Sequence, residues 1–254
     1  MRIARPAGVA QGYGRGALAG DDGGEMPARM VPGATPAAPM TLDIPDFIRA
    51  HTRIDVPPLL PEIRLHLAAD AVGLWLLTEE ARSEVGLPPP FWAFAWAGGQ
   101  ALARHVLDHP HIVRGWRVLD VASGSGMVGI AAMRAGALSA ICADIDGFAV
   151  HAAALNAALN DVVVTPSESD ALAADADADV VLVGDLFYDR PIATRLLAWL
   201  RAQAARGCDV LVGDPGRNFL PREALEQVAE YEVPTTLALE DAVVKRTGVW
   251  RLRG

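Results

Sequence analysis

Val118-Leu119-Asp120-Val121-Ala122-Ser123-Gly124-Ser125-Gly126 reads as a strand running straight into a turn. Its first four residues are apolar except Asp120, as in a strand buried on both faces. Helical spacing starts at Met127, so the turn joins a strand to a helix. Gly124-Ser125-Gly126-Met127-Val128-Gly129 also spells G-x-G-x-x-G. A turn of this kind needs positive φ and close approach of backbone to ligand, both of which glycine allows. Two nucleoside cofactors use such turns: a dinucleotide, whose pyrophosphate rests on the helix N-terminus, and S-adenosylmethionine. Asp144, twenty residues past Gly124, does not separate them, because either cofactor has a ribose for an acid to bind.

Strands are predicted on either side of this turn at 116–121, 139–144, 162–165, 179–184 and 209–213. Helices are predicted at 127–135, 147–158, 190–206 and 221–229. Strand and helix in alternation imply a parallel sheet covered on both faces. The end of the chain differs. Tyr231 to Leu239 and Val243 to Leu252 are two extended segments with no helix between them, so they must run antiparallel. The fold expected is therefore α/β and Rossmann-like, a mostly parallel sheet closed by a C-terminal antiparallel hairpin. That is the outline of the seven-stranded methyltransferase fold.

Upstream, Pro45 to His51 reads as a short helix, and Glu62 to Leu67 alternates as a half-exposed strand does. Ala69 to about Arg82 reads as strand or helix. Pro88-Pro89-Pro90 breaks the chain before the aromatic run Phe91 to Trp96, and Gly99 to Leu107 has helical spacing. Residues 1–38 are rich in Gly, Ala and Pro without periodicity and are expected to be a disordered low-complexity tail. Early Arg2, Arg5 and Arg15 suit a mitochondrial presequence, but hydroxyl residues are nearly absent; a true start at Met30 or Met40 explains the tail equally well. The expected methyltransferase domain is 39–254, with 39–110 a segment covering cofactor and substrate and 111–254 the core.

The net charge of −9 repels phosphate backbones and argues against a nucleic-acid substrate. The tail carries four Arg against Asp21, Asp22 and Glu25, so the remaining domain holds −10. No apolar run is long enough to span a membrane. Cys142 and Cys208 form neither a disulfide framework nor a zinc spacing, which suits a reducing compartment. A monomer in the cytoplasm is expected, or in the mitochondrial matrix if the source is eukaryotic.

Two features separate the cofactors. Asp120 ends the first strand four residues before Gly124, where it would repel a pyrophosphate but favour a sulfonium and an α-ammonium. A dehydrogenase also needs a further substrate domain, and only the hairpin follows the fifth strand. Both point to S-adenosylmethionine. An NAD(P)-dependent Rossmann oxidoreductase, a methyltransferase with some other protein or small molecule as acceptor, and a catalytically idle binding module remain the alternatives.

Four more segments carry a resemblance: Pro61-Glu62-Ile63-Arg64-Leu65, Phe91-Trp92-Ala93-Phe94-Ala95-Trp96, Val183-Gly184-Asp185-Leu186-Phe187-Tyr188-Asp189 and Val212-Gly213-Asp214-Pro215-Gly216-Arg217. In order and spacing they resemble the electron transfer flavoprotein β-subunit lysine methyltransferase family, over roughly residues 43 to 254. The resemblance implies methylation of lysines near that flavoprotein's dehydrogenase-docking region. For bacterial members it implies other proteins too, ribosomal L7/L12 among them. Carried onto this chain, Trp96, Asp120, Ala122, Gly124, Gly126, Asp144, Ile145, Asp185 and Phe187 would line the cofactor site. Asp185, Tyr188 and Asp189 would face the lysine. Ala122 stands where methyltransferases usually carry a first glycine, so its backbone is expected to keep φ < 0.

The chemistry of a lysine acceptor suits these residues. Its amine is protonated at neutral pH and must lose a proton before it attacks. Asp185 and Asp189 would draw in and orient the ammonium but also stabilise it, so they position rather than deprotonate, and the proton leaves through water. Phe187 and Tyr188 would be aromatic walls, each gaining about 0.5–2 kcal/mol against a cation. Asp185-Leu186-Phe187-Tyr188 lacks the prolines of the Asn-Pro-Pro-Tyr pattern, which argues against amide or base acceptors. The competing reading of Asp189 is a helix cap.

Other clusters are weaker. His105, His109 and His111 lack the glutamate of HExxH and straddle Pro110, so a solvated helix end is expected. Asp170, Asp175, Asp177 and Asp179 lack the Gly and closing Glu of a calcium loop. No metal is expected. Asp170 is a candidate for the adenine amino group. Asn156 and Asn160 read either as part of the family pattern or as caps, and Arg217 either meets an acidic substrate or braces its loop.

Overall fold

The computed structural model describes residues 43–85, 88–235 and 242–253, with the side chains of 80–85 left aside. The expected tail, 1–38, and residues 236–239 of the expected hairpin lie outside the described residues.

Asp43 opens helix α1 (Ile44–His51) by accepting the Asp46 N–H at 2.9 Å, and Pro45 sits in the first turn where its missing N–H costs nothing. Strands β1 (Thr52–Asp55) and β2 (Leu65–Ala68) form a separate antiparallel ribbon. The stretch that read ambiguously is helix α2 (Ala71–Val85). A 3-10 turn at Phe91–Ala93 leads into helix α3 (Ala97–Asp108).

The main domain then alternates: β3 (Arg117–Val121), α4 (Met127–Arg134), β4 (Ser139–Asp144), α5 (Gly147–Leu159), β5 (Thr165–Glu168), β6 (Val180–Gly184), α6 (Arg190–Ala205) and β7 (Asp209–Asp214). Strands β8 (Leu225–Pro234) and β9 (Val244–Leu252) close it. The seven-stranded sheet has the order β5-β4-β3-β6-β7-β9-β8. Strands β3 to β7 are parallel, and β9 runs antiparallel to both β7 and β8. Strand order reverses between β3 and β6, which opens a crevice at the carboxyl ends of those two strands.

Alternation of side chains along the parallel strands splits the core. Val118, Val180, Leu182 and Leu211 pack against Ala101, Leu102, Val106, Ile130 and Ala131 of α3 and α4. Leu119, Val181, Val183, Val210 and Val212 face Leu196, Trp199 and Leu200 of α6. A third cluster joins Ile48, Trp92 and Phe148, so the N-terminal segment rests on α5. Among the described residues no helix is long and apolar enough to cross a membrane.

Two element predictions fail. Residues 221–229, predicted helical, form a 3-10 turn at Arg222–Ala224 and then enter β8. Leu225, Val228 and Ala229 have helical spacing, but pairing with β9 along the whole strand prevails, with a bulge between Gln227 and Ala229. Strand β5 starts at Thr165 rather than 162. Asp161 takes φ +55°, so the chain is still turning at Val162, and Pro166 is tolerated because β5 is an edge strand.

Candidate active site

The crevice is built first by the turn after β3. Gly126 caps α4 with φ +75°, and a Cβ there would lie 2.8 Å from the Ala153 side chain, so α4 and α5 can meet only around glycine. The Gly124 N–H donates to Asp144 Oδ2 at 2.9 Å, tying the turn to the end of β4. Ala122 does not keep φ < 0 as expected; it takes φ +52° and is exposed. The chain must fold back here so that the Ser123 N–H reaches Ala143 O at 3.1 Å. A left-handed alanine costs on the order of 1 kcal/mol.

Asp120 is not open to the crevice as expected. It is 1% exposed, and its Oδ2 accepts the Gly129 N–H at 2.9 Å. Burial pushes its pKa up to about 7, the Gly129 bond opposes the shift, and the charge of Asp144 adds to it. Asp120 is therefore a brace between β3 and α4 whose ionisation burial disfavours. Asp144 is half-buried, and burial raises its pKa against the N–H bonds of Gly124, Asp146 and Ile145. Beside it Ile145 is 76% exposed, an apolar side chain held out at the rim.

The second half of the crevice forms where α3 begins. Gly98 and Gly99 abut Gly184 and Gly213 at the ends of β6 and β7. A Cβ on Gly98 would collide with Gly213 O and Asp185 Oδ2, and a Cβ on Gly213 with Gly98 O. Backbone against backbone, the α3 N-terminus reaches Asp185: the Gly99 N–H donates to Oδ2 at 3.0 Å. Asp185 takes φ +55° and is 8% exposed. Its Oδ1 accepts from Arg217 Nη2 at 2.7 Å and Nε at 3.2 Å. Trp96, half-buried, donates its indole N–H to Phe91 O at 3.0 Å and lies 5.9 Å under the Arg217 guanidinium.

Tyr188 is 43% exposed, with its ring 6.1 Å from that of Phe91, which in turn is 6.0 Å from that of Trp96. Burial raises the Tyr188 pKa, helped by the charges of Asp189 and Asp144. Asp189 accepts the Ile192 N–H at 3.2 Å and caps α6, the structural role weighed for it. Phe187 is a correction. It has no exposed surface and packs with Val183, Leu196 and Leu220 beneath α6, because Asp185 takes φ +55° and the chain turns through Phe187 and Tyr188 instead of extending β6. It walls the core, while Phe91 takes the place expected of it on the exposed rim.

Asp214, which the sequence alone does not mark as a site residue, ends β7 as Asp185 follows β6. It is fully buried, its Oδ1 accepts the N–H groups of Gly216 (2.7 Å) and Arg217 (2.6 Å), and its Oδ2 has no hydrogen-bond partner. Burial pushes its pKa to about 6, with the Arg217 N–H opposing and the Asp185 charge adding. The signal in the sequence is Gly-Asp repeated after two neighbouring strand runs, where Gly184 pairs with Gly213.

Other candidates are structural. Buried Asn156 donates to Ser125 O at 2.9 Å and accepts the His66 N–H at 2.7 Å, pinning the ribbon strand β2 to the glycine turn. Asn160 holds both the N–H and the C=O of Arg64. Asp170 accepts the Leu172 N–H and pairs with Arg195 at 2.7 Å. His105 is buried, with Nδ1 3.2 Å from the Tyr231 hydroxyl, and burial takes its pKa down to about 4.

A glycine turn after the first parallel strand, an acid after the second, and an exposed aliphatic rim fit a nucleoside. Ser123 Oγ, buried there with no hydrogen-bond partner, is a further polar group at the turn. With the sheet order, these define an S-adenosylmethionine-dependent methyltransferase. Residues 102–186 match the family model of ribosomal protein L11 methyltransferase (PrmA). The chain is 36% identical over 217 residues to the electron transfer flavoprotein beta subunit lysine methyltransferase of Danio rerio, covering 82% of this chain and 83% of that protein. It is 36% identical over 214 residues to the protein of the same name from Xenopus laevis, covering 80% and 85%. It belongs to the electron transfer flavoprotein β-subunit lysine methyltransferase family. Among solved structures it also resembles the ribosomal protein L11 methylase of Lactobacillus delbrueckii subsp. bulgaricus, at 22% identity and a TM-score of 0.45, over 63% of this chain and 80% of that one.

Proposed function

We propose that this methyltransferase modifies lysine side chains of the electron transfer flavoprotein β-subunit. The names of its relatives support that acceptor. The observation that carries the reading in this chain is Asp185: a nearly buried carboxyl at the carboxyl end of β6, beside the partly open aromatics Phe91, Trp96 and Tyr188. An anion at the base and aromatic faces at the rim suit an incoming ammonium. The match over 102–186 spans α3 to β6, the cofactor half, and so supports the donor more than the acceptor. Free Cys142 and Cys208 suit a reducing compartment, the cytoplasm or a mitochondrial matrix.

The backbone of 122–126, Asp144, Ile145 and Trp96 would hold S-adenosylmethionine, which supplies a methyl group already activated by a sulfonium. The protein then aligns and dries the acceptor. Asp185 orients the lysine, fixed by Gly99 N–H and Arg217 so that its carboxylate has one geometry. Tyr188 and Phe91 exclude water from its stem. The amine must give its proton to water, and its freed lone pair could then take the methyl group that the bound donor would supply. Incubation with labelled methyl donor and purified electron transfer flavoprotein tests this. Label on β-subunit lysines is expected; label on another protein alone overturns the acceptor.

A further inference from the structure

We infer that Arg217 is a positioning residue that keeps the acceptor lysine from being held as an unreactive ammonium. The inference rests on the lysine reading above. A carboxylate that attracts a lysine also stabilises its protonated form, and a protonated amine has no lone pair to attack with. A site with Asp185 alone would bind its acceptor and disarm it.

The structure supplies the counterweight. The Asp214 carboxyl grips the N–H groups of Gly216 and Arg217, which fixes where the Arg217 side chain starts. Its guanidinium then lies on Asp185 through both Nε and Nη2, with the Arg217 side chain 16% exposed and that of Asp185 9%. Water screens a pair so enclosed only weakly. The Trp96 ring backs the guanidinium at 5.9 Å. Asp185 Oδ2 is already engaged by the Gly99 N–H at the positive end of α3. The guanidinium thus offsets the Asp185 charge and disfavours a second cation beside it, although the Asp214 carboxyl, which feels the Asp185 and Arg217 charges, adds negative potential of its own. Arginine fits this role because it stays protonated at every working pH and can chelate one carboxylate with two N–H groups.

The test is the pH profile of methyl transfer to purified electron transfer flavoprotein by the full chain and by Arg217→Met and Arg217→Lys. Calorimetry with S-adenosylhomocysteine and a thermal melt accompany each protein. For Arg217→Met the low-pH limb of kcat should move up by about one unit, in the range expected for one nearby charge. That is about tenfold slower turnover at pH 7.5, recovering toward the native rate near pH 10, with KM for the flavoprotein not raised. Affinity for S-adenosylhomocysteine should not change. Arg217→Lys keeps the charge and should keep the limb in place, whatever it loses in rate. An equal loss at every pH, or a loss confined to nucleoside affinity, would show a loop brace and overturn the inference. If Arg217→Met does not fold, Arg217→Gln, which removes the charge and keeps an N–H donor for Asp185, takes its place: a limb moved up sustains the inference and an unmoved limb overturns it. Absence of lysine methylation by the native enzyme contradicts the function itself; methylation with a pH-independent loss contradicts only the role of Arg217.

Discussion

The acids of the crevice differ less in kind than in surroundings. Asp120, Asp146 and Asp214 all have pKa values raised by burial, to about 7, 6 and 6. A carboxyl raised in the folded state binds more protons folded than unfolded, so its ionisation is penalised by folding. Stability therefore falls as pH climbs from about 4, the unfolded value, through 7. Asp120→Asn keeps an acceptor for the Gly129 N–H and removes that ionisation. Its melting temperature should gain on the native protein between pH 5 and pH 8; parallel curves would show that Asp120 does not titrate in that range. Ala122 provides a second check. Ala122→Gly relieves the positive φ at the cost of a floppier unfolded chain, so denaturant melts should show a change between zero and about 1 kcal/mol of stabilisation. A clear loss of stability would mean that the methyl group packs usefully. Neither the sign of φ at Ala122 nor the inward turn of Asp120 was legible from a residue list. The first follows from the fold-back that lets the Ser123 N–H reach Ala143 O, the second from alternation along β3, which puts Val118 and Asp120 on the α4 side.

At the scale of elements, the α/β alternation was readable because each parallel strand is an apolar run and each helix carries its own spacing. What misled was the edge. β8 lies at one rim of the sheet with much of its surface exposed, so Leu225 to Val233 was free to carry helical spacing. β5 at the other rim reads as Thr-Pro-Ser-Glu, with little apolar pattern to mark it. The contact of α3 with β6 and β7 was written in sequence as glycines, yet their meaning needs all three elements together. Gly98→Ala should force α3 off the sheet, costing about 1–3 kcal/mol in denaturant unfolding and loosening the Gly99 bond to Asp185. An unchanged midpoint would mean that the helix start can slide without cost.

Across the whole molecule, the crevice lies where strand order reverses between β3 and β6. The glycine turn and Asp144 stand on one side, Asp185, Asp214 and Arg217 on the other, and the segment before β3 contributes Phe91 and Trp96 to the rim. The antiparallel ending, visible in the sequence as two extended segments without a helix, is one of the two features set against a dinucleotide-binding fold; the other, Asp120, is buried under α4 rather than facing the crevice. Residues on the crevice were named in sequence far better than their directions. Asp185 and Tyr188 lie at the crevice, whereas Phe187 lies in the core because the chain turns after β6 instead of extending it. The central claim is that Asp185 serves acceptor lysine rather than cofactor. Methyl transfer to purified electron transfer flavoprotein, measured by mass spectrometry for native protein and Asp185→Asn with S-adenosylhomocysteine calorimetry alongside, tests it directly. The expected result is methylated β-subunit lysines with the native protein, a loss of at least about tenfold in kcat with Asp185→Asn, as for a lost charge-assisted hydrogen bond, and nucleoside affinity within a fewfold. Full activity of Asp185→Asn, or a loss confined to nucleoside affinity, would contradict it.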